Sequence, residues 1–181
     1  PDLLDIFLEE ADELLVGIDA DLNTWTADQQ NVSALKNLMR YLHTLKGGSN
    51  MIQACHIGLI AHELETIYEK LINQQLQPTA QLIALIRAVQ DDIADRIQTI
   101  RDQQIDYPAI HVLNVLANLN VATVSDIKPV ATDLDELEDI NTAVDIVDTT
   151  ASVNSVETES SYVVDVSDLA AQFALDKQQL Q

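Results

Sequence analysis

Over its first 120 residues the chain sets apolar side chains three and four positions apart, with almost nothing to interrupt them. The whole sequence holds four glycines, and after Pro1 only Pro78 and Pro108 fall in this region. A spacing near 3.6 puts such residues on one side of a helix, whereas a half-buried strand needs strict alternation. The region therefore reads as helical throughout.

Leu4, Phe7, Leu8, Ala11, Leu14, Leu15, Ile18, Leu22 and Trp25 form the apolar face of a first helix, which the polar stretch TADQQN ends. Leu35, Leu38, Met39, Leu42 and Leu45 begin a second. After an irregular join near Gln53 to His56, a third follows in Ile57, Ile60, Leu64, Ile67, Tyr68 and Leu71 and runs to about Gln75. Pro78 sits where a first helical turn accepts proline, and Leu82, Leu85, Ile86, Val89, Ile93, Ile97 and Ile100 line a fourth helix. Pro108 likewise opens a short fifth helix through Leu119, with Ile110, Leu113 and Leu116 inward. Short connections favour antiparallel neighbours, so the expected fold is all-α: an up-and-down antiparallel four-helix bundle with a short fifth helix, over residues 1–120.

After Asn120 the composition turns to Thr, Ser, Val and Asp. DLDELEDINTAVDIVDTTASVNSVETESS has too little to bury to offset its ordering entropy, so residues 121–181 read as a largely disordered acidic linker. Its end, 167–180, suits a short helix with Ser167 as N-cap.

Charge excludes whole classes of partner. The net charge is −21, with 17 acids against 7 bases in residues 1–120 and 13 against 2 beyond them. Phosphate binding needs clustered Lys and Arg that neither part has, so nucleic acid and anionic membrane surfaces are excluded as partners. No apolar run approaches the roughly 18 residues that span a bilayer. Cys55 is alone, which rules out an internal disulfide and fits a reducing compartment; the expected location is cytoplasmic. A start at Pro1 leads us to expect a piece of something longer.

One stretch, YLHTLKGGSN, breaks the helical rules. At ~100° per residue His43 lies about 120° from the mean direction of Leu35, Leu38, Leu42 and Leu45, so it should face solvent. Lys46 and Gly47 follow at i+3 and i+4, on the same surface patch. Two glycines in a helix cost on the order of 1 kcal/mol each relative to alanine. Bare backbone suits close packing or a helix end, and it equally suits access for a large partner to His43. On the third helix Glu65 also lies about 120° from its apolar stripe. If those flanks adjoin, its carboxylate can accept the Nδ1 proton of His43 and leave Nε2 as an outward nucleophile. Lys46 could then offset charge on an incoming anion.

The run HTLKGGSNMIQACHIGLIAHELE, His43 to Glu65, resembles the signature of the histidine-containing phosphotransfer (HPt) domain, in the version found in chemotaxis-type histidine kinases. The resemblance implies a bundle whose second helix carries a histidine that is phosphorylated on Nε2 by a kinase domain and passes the group to a receiver-domain aspartate. His43 matches that histidine, Lys46 the lysine three residues on, and Gly47 the clearing glycine, with Gly48 beside it on the docking surface. His62 and Glu65 match third-helix residues that hydrogen-bond in a network with it. LLDIFLEEADELL resembles, more narrowly, the first helix of HPt domains in hybrid kinases that control type IV pili and twitching motility. Where the family often has glycine ten residues after the histidine, this chain has Gln53, which puts the turn between second and third helices in question.

Other chemistries fit less well. His43, His56, His62, Glu65 and Cys55 include metal-ligand types, but their spacings match no zinc framework. HELET lacks the second histidine of a zinc-protease helix, since Thr66 stands at that position. In LKGGS the glycines follow the lysine, unlike a phosphate-binding loop. No metal or other cofactor is expected, and nothing resembles an ATP-binding kinase domain, so the chain would carry phosphoryl groups for a histidine kinase and a receiver domain. The alternative is a helical interaction module that binds a receiver or scaffold without phosphate.

Overall fold

The computed structural model describes residues 2–122 and 168–180. Among these residues every regular element is helical: α1 (Leu3–Ala27), α2 (Val32–Met51), α3 (Cys55–Ile72), α4 (Ala80–Gln103), α5 (Ile110–Ala122) and α6 (Leu169–Lys177), the last followed by a 3-10 turn, Gln178–Leu180. The acidic stretch expected to be disordered lies outside the described residues, as does the proposed cap Ser167.

The first four helices form a ring, α1 packing on α2 and α4, and α3 on α2 and α4. Their antiparallel sense follows from the contacts. A Cβ on Gly48 would meet Phe7 at 3.2 Å and one on Gly17 would meet Tyr41 at 3.0 Å, so α2 descends as α1 rises. Asp12 pairs with Arg101 at 2.7 Å and Asn23 with Arg87 at 3.1 Å, so α4 also runs against α1. The predicted stripes are the core: Ile18, Leu22, Leu38, Leu45, Ile60, Leu64, Ile86 and Val89 are all buried. Each such side chain stabilises the fold by about 1.5–3 kcal/mol.

Helix ends differ from expectation where side-chain chemistry intervenes. Neither Pro78 nor Pro108 lies in a first helical turn. Thr79 caps α4 by accepting from the Leu82 N–H at 3.1 Å, which places Pro78 just outside, and α5 starts two residues after Pro108. α3 stops at Ile72, not Gln75, because Gln74 takes φ 59° and the Gln75 N–H turns back to the Lys70 carbonyl at 2.8 Å. Among the described side chains of α5, Val112 and Leu116 are buried, while Ile110 is 51% exposed. This short helix is apolar on several sides, and its packing on α3 and α6, not its own pattern, selects the inward face.

Gln53 answers the question raised by the missing glycine. Its φ is 64°, the left-handed conformation that glycine adopts without penalty, and the Ala54 N–H closes the turn on the Ser49 carbonyl at 2.8 Å. Asp106, from the loop after α4, then caps α3 by accepting from the His56 and Ile57 N–H groups at 2.8 and 3.3 Å. The turn is kept with a residue that strains it.

Candidate functional site

Burial of Leu35, Leu38, Leu42 and Leu45 leaves His43 no direction but outward, and its side chain is 69% exposed. Burial of Ile57, Ile60, Leu64 and Ile67 sets Glu65 on the flank of α3 that adjoins α2, where it is 18% exposed. The two helices approach closely: a Cβ on Gly58 would come within 2.5 Å of Asn50 Oδ1 and would push that exposed side chain aside. The antiparallel pairing of α2 with α3 brings residues 43 and 46 against residue 65.

The Glu65 carboxylate is shared. Its Oε1 lies 3.4 Å from His43 Nδ1 and its Oε2 lies 3.3 Å from Lys46 Nζ. The first distance exceeds a hydrogen bond. A small torsion of the exposed ring would close it, as contacts in sites without their partner often tighten when the partner arrives. Lys46, expected as a charge partner for an anion, is thus also the group that orients the carboxylate.

The two glycines divide. A Cβ on Gly47 would meet nothing within 4 Å, so open space lies beside His43. Gly48, expected on the docking surface, is instead half-buried against Phe7 and permits close packing of α1 on α2. His62 is exposed three residues before Glu65, yet among the described residues its side chain forms no hydrogen bond or ion pair with His43, Lys46 or Glu65. Lys46 stands beside Glu65 in the place that the resemblance gives to His62. A cavity of about 700 Å³ lies at the α2–α3 turn, lined by Gln53, Cys55, His56 and Asp106 among others, and does not include His43. Among the described residues no three His, Cys, Asp or Glu side chains gather as a metal site. None of the described helices is long and apolar enough to cross a membrane.

A second ionic cluster, not predicted from the sequence, is centred on Arg96. Arg96 is 1% exposed and binds Asp92 Oδ2 at 2.7 Å, the Tyr107 carbonyl at 2.7 Å and Asp176 Oδ2 at 3.2 Å. A signal was present: Arg96 stands three residues after Ile93 and four before Ile100, on the apolar stripe of α4, where a charge needs buried partners.

The bundle thus offers an exposed imidazole backed by a half-buried carboxylate, with open space beside it. Residues 2–103 match the Hpt domain family, and the chain belongs to it. It is similar to the chemotaxis protein CheA of Listeria monocytogenes and to that of Listeria innocua, each 29% identical over 84 residues. The match covers 46% of this chain and 14% of each relative's length. The chain is thus a histidine phosphotransfer domain of the two-component signalling class, and its likeness is to chemotaxis-type proteins.

Proposed function

We propose that His43 accepts a phosphoryl group on Nε2 from the ATP of a histidine kinase domain and passes it to the aspartate of a response-regulator receiver domain. The observation that carries this is the pairing of a 69% exposed imidazole with a carboxylate 3.4 Å from its Nδ1. With the Nδ1 proton directed at Glu65, the Nε2 lone pair faces solvent. Nε2 attacks the γ-phosphorus, the bond to the β–γ bridging oxygen breaks, and ADP leaves. The ring then carries positive charge, which Glu65 offsets. In the second step the Nε2–P bond breaks, its electrons return to Nε2, and the phosphoryl group goes to the receiver carboxylate.

Lys46 holds the far oxygen of Glu65 and presents a cation near the transferred group. Gly47 leaves room for two successive partner active sites. Metal ion and ATP come with the partners, since phosphoryl transfer chiefly requires positioning and charge stabilisation. A donor that uses ATP sets the reaction in the cytoplasm. In this reading residues 1–120 are the transfer bundle, residues 121–181 are its acidic continuation, and His62 plays no direct part in the chemistry.

The test is incubation with a cognate kinase and ATP, then with a receiver domain. Wild type should take up acid-labile, base-stable phosphate and lose it to the receiver, and His43→Gln should take up none. Equal uptake by both proteins, or receiver binding by wild type without any uptake, would replace the carrier by an interaction module.

A further inference from the structure

We propose that Leu169–Lys177 is a detachable docking helix, a clasp that folds onto the α4–α5 face of its own chain and is recognised there through Asp176. Nine residues make only a marginal helix in water, so this segment depends on its contacts to be helical. The contacts are those of a recognition peptide. Leu169 and Phe173, four residues apart on one side, are 0% and 4% exposed, and Asp176 is 0% exposed.

A buried carboxylate must be matched, and every match for Asp176 comes from the receiving face. Its Oδ1 accepts from the His111 N–H at 2.9 Å and lies 2.8 Å from His111 Nδ1, and its Oδ2 accepts from the Val112 N–H at 3.3 Å and from Arg96 Nη2 at 3.2 Å. An anion is thus set on the free N–H groups and positive dipole of the α5 N-terminus, with a guanidinium beside it. Lys177 adds an ion pair to Asp95 at 3.2 Å on the rim.

The receiving face is complete without its occupant, which makes the contact separable. Arg96 keeps Asp92 and the Tyr107 carbonyl, both at 2.7 Å, and stacks 4.1 Å from the centre of the Tyr107 ring. The first amides of α5 would then face water, as helix starts commonly do. Asp176 in solvent is likewise satisfied. A cleft of about 250 Å³ opens at the surface beside Phe173 between α4 and α6. The 45 residues from 123 to 167 could extend to about 150 Å, far more than closure within one chain requires. This reading is independent of phosphotransfer at His43.

The test uses the whole chain with a protease recognition sequence placed between residues 140 and 150. After cleavage at micromolar concentration, the C-terminal fragment of the wild type should co-elute with the bundle, and the uncut chain should be monomeric by light scattering at every concentration. Asp176→Asn should weaken retention about tenfold or more, with helix content of the bundle unchanged by circular dichroism. Phe173→Ala should act in the same direction. Release of the wild-type fragment overturns the clasp, equal retention of wild type and Asp176→Asn overturns recognition through Asp176, and a dimer formed by exchange of α6 overturns docking within one chain.

Discussion

Among the described residues, the ionic clusters at His43 and at Arg96 are built from the same kinds of side chain in opposite surroundings. At His43 the imidazole is exposed, Lys46 and Glu65 reach water at the surface, and the groups lie 3.3–3.4 Å apart around one shared carboxylate. At Arg96 they are dry, as close as 2.7 Å and saturated with partners. Exposed pairs contribute about 0–1 kcal/mol to stability, whereas a buried cation that loses its partners destabilises a fold by several. The first cluster is therefore free to change its chemistry without unfolding the protein, and the second is not. Reactivity is kept where the fold has least at stake.

The comparison breaks most simply at its two centres. His43→Gln should abolish phosphate uptake while the urea midpoint stays within about 0.5 kcal/mol of wild type. A large loss of stability would mean that the histidine is structural. Arg96→Met should do the reverse and cost about 3–5 kcal/mol in a urea titration, because the buried Asp92 is left without its cation. Uptake per folded molecule should not change.

The glycines sharpen the same contrast within one helix. Gly47→Leu should slow transfer about tenfold or more and leave stability equal or up to about 1 kcal/mol higher, since the site is open and leucine is the better helix former. Stopped-flow transfer to the receiver and a thermal melt would separate the two effects.

Asp92 provides a finer test of the buried cluster. Burial, with like charge from Asp176 and Asp95, pushes its carboxyl above the ordinary 3.8 even though Arg96 pulls the other way. A carboxyl that holds its proton more tightly when folded favours folding at low pH, and this contribution falls away as pH rises through the folded value. Asp92→Asn should remove that slope, visible in urea midpoints of both proteins from about pH 4 upward. At neutral pH it should cost about 1 kcal/mol or less, because Asp176 still pairs Arg96. The smallest effect is expected at the turn: Gln53→Gly should gain a few tenths to about 1 kcal/mol by removing left-handed strain, with transfer unaltered. A change in transfer rate would tie the turn to partner choice.

Much of the fold was legible because the apolar stripes of α1 to α4 are wide and regular. The outward placement of His43 followed from its angle to four leucines, and the flank position of Glu65 from its angle to the α3 stripe. Where a pattern was weak the reading failed. α5 has apolar residues on several sides, so its pattern places Ile110 inward although it lies outward. The proline rule put Pro78 and Pro108 inside helices, but Thr79 is the better N-cap and the hydrogen bond to Leu82 sets the boundary.

Sequence by itself determined the class, the four long helices and the direction in which the candidate histidine points, since all three depend on local spacing and on which faces must leave water. Tertiary structure decided what sequence spacing cannot carry. It decided that Lys46, not His62, shares the Glu65 carboxylate, that one glycine clears a surface while its neighbour packs on Phe7, and that Asp176 reaches Arg96 across 80 residues of chain. Those outcomes depend on the distance between helices and on which charges are left without water, and both are properties of the assembled bundle alone.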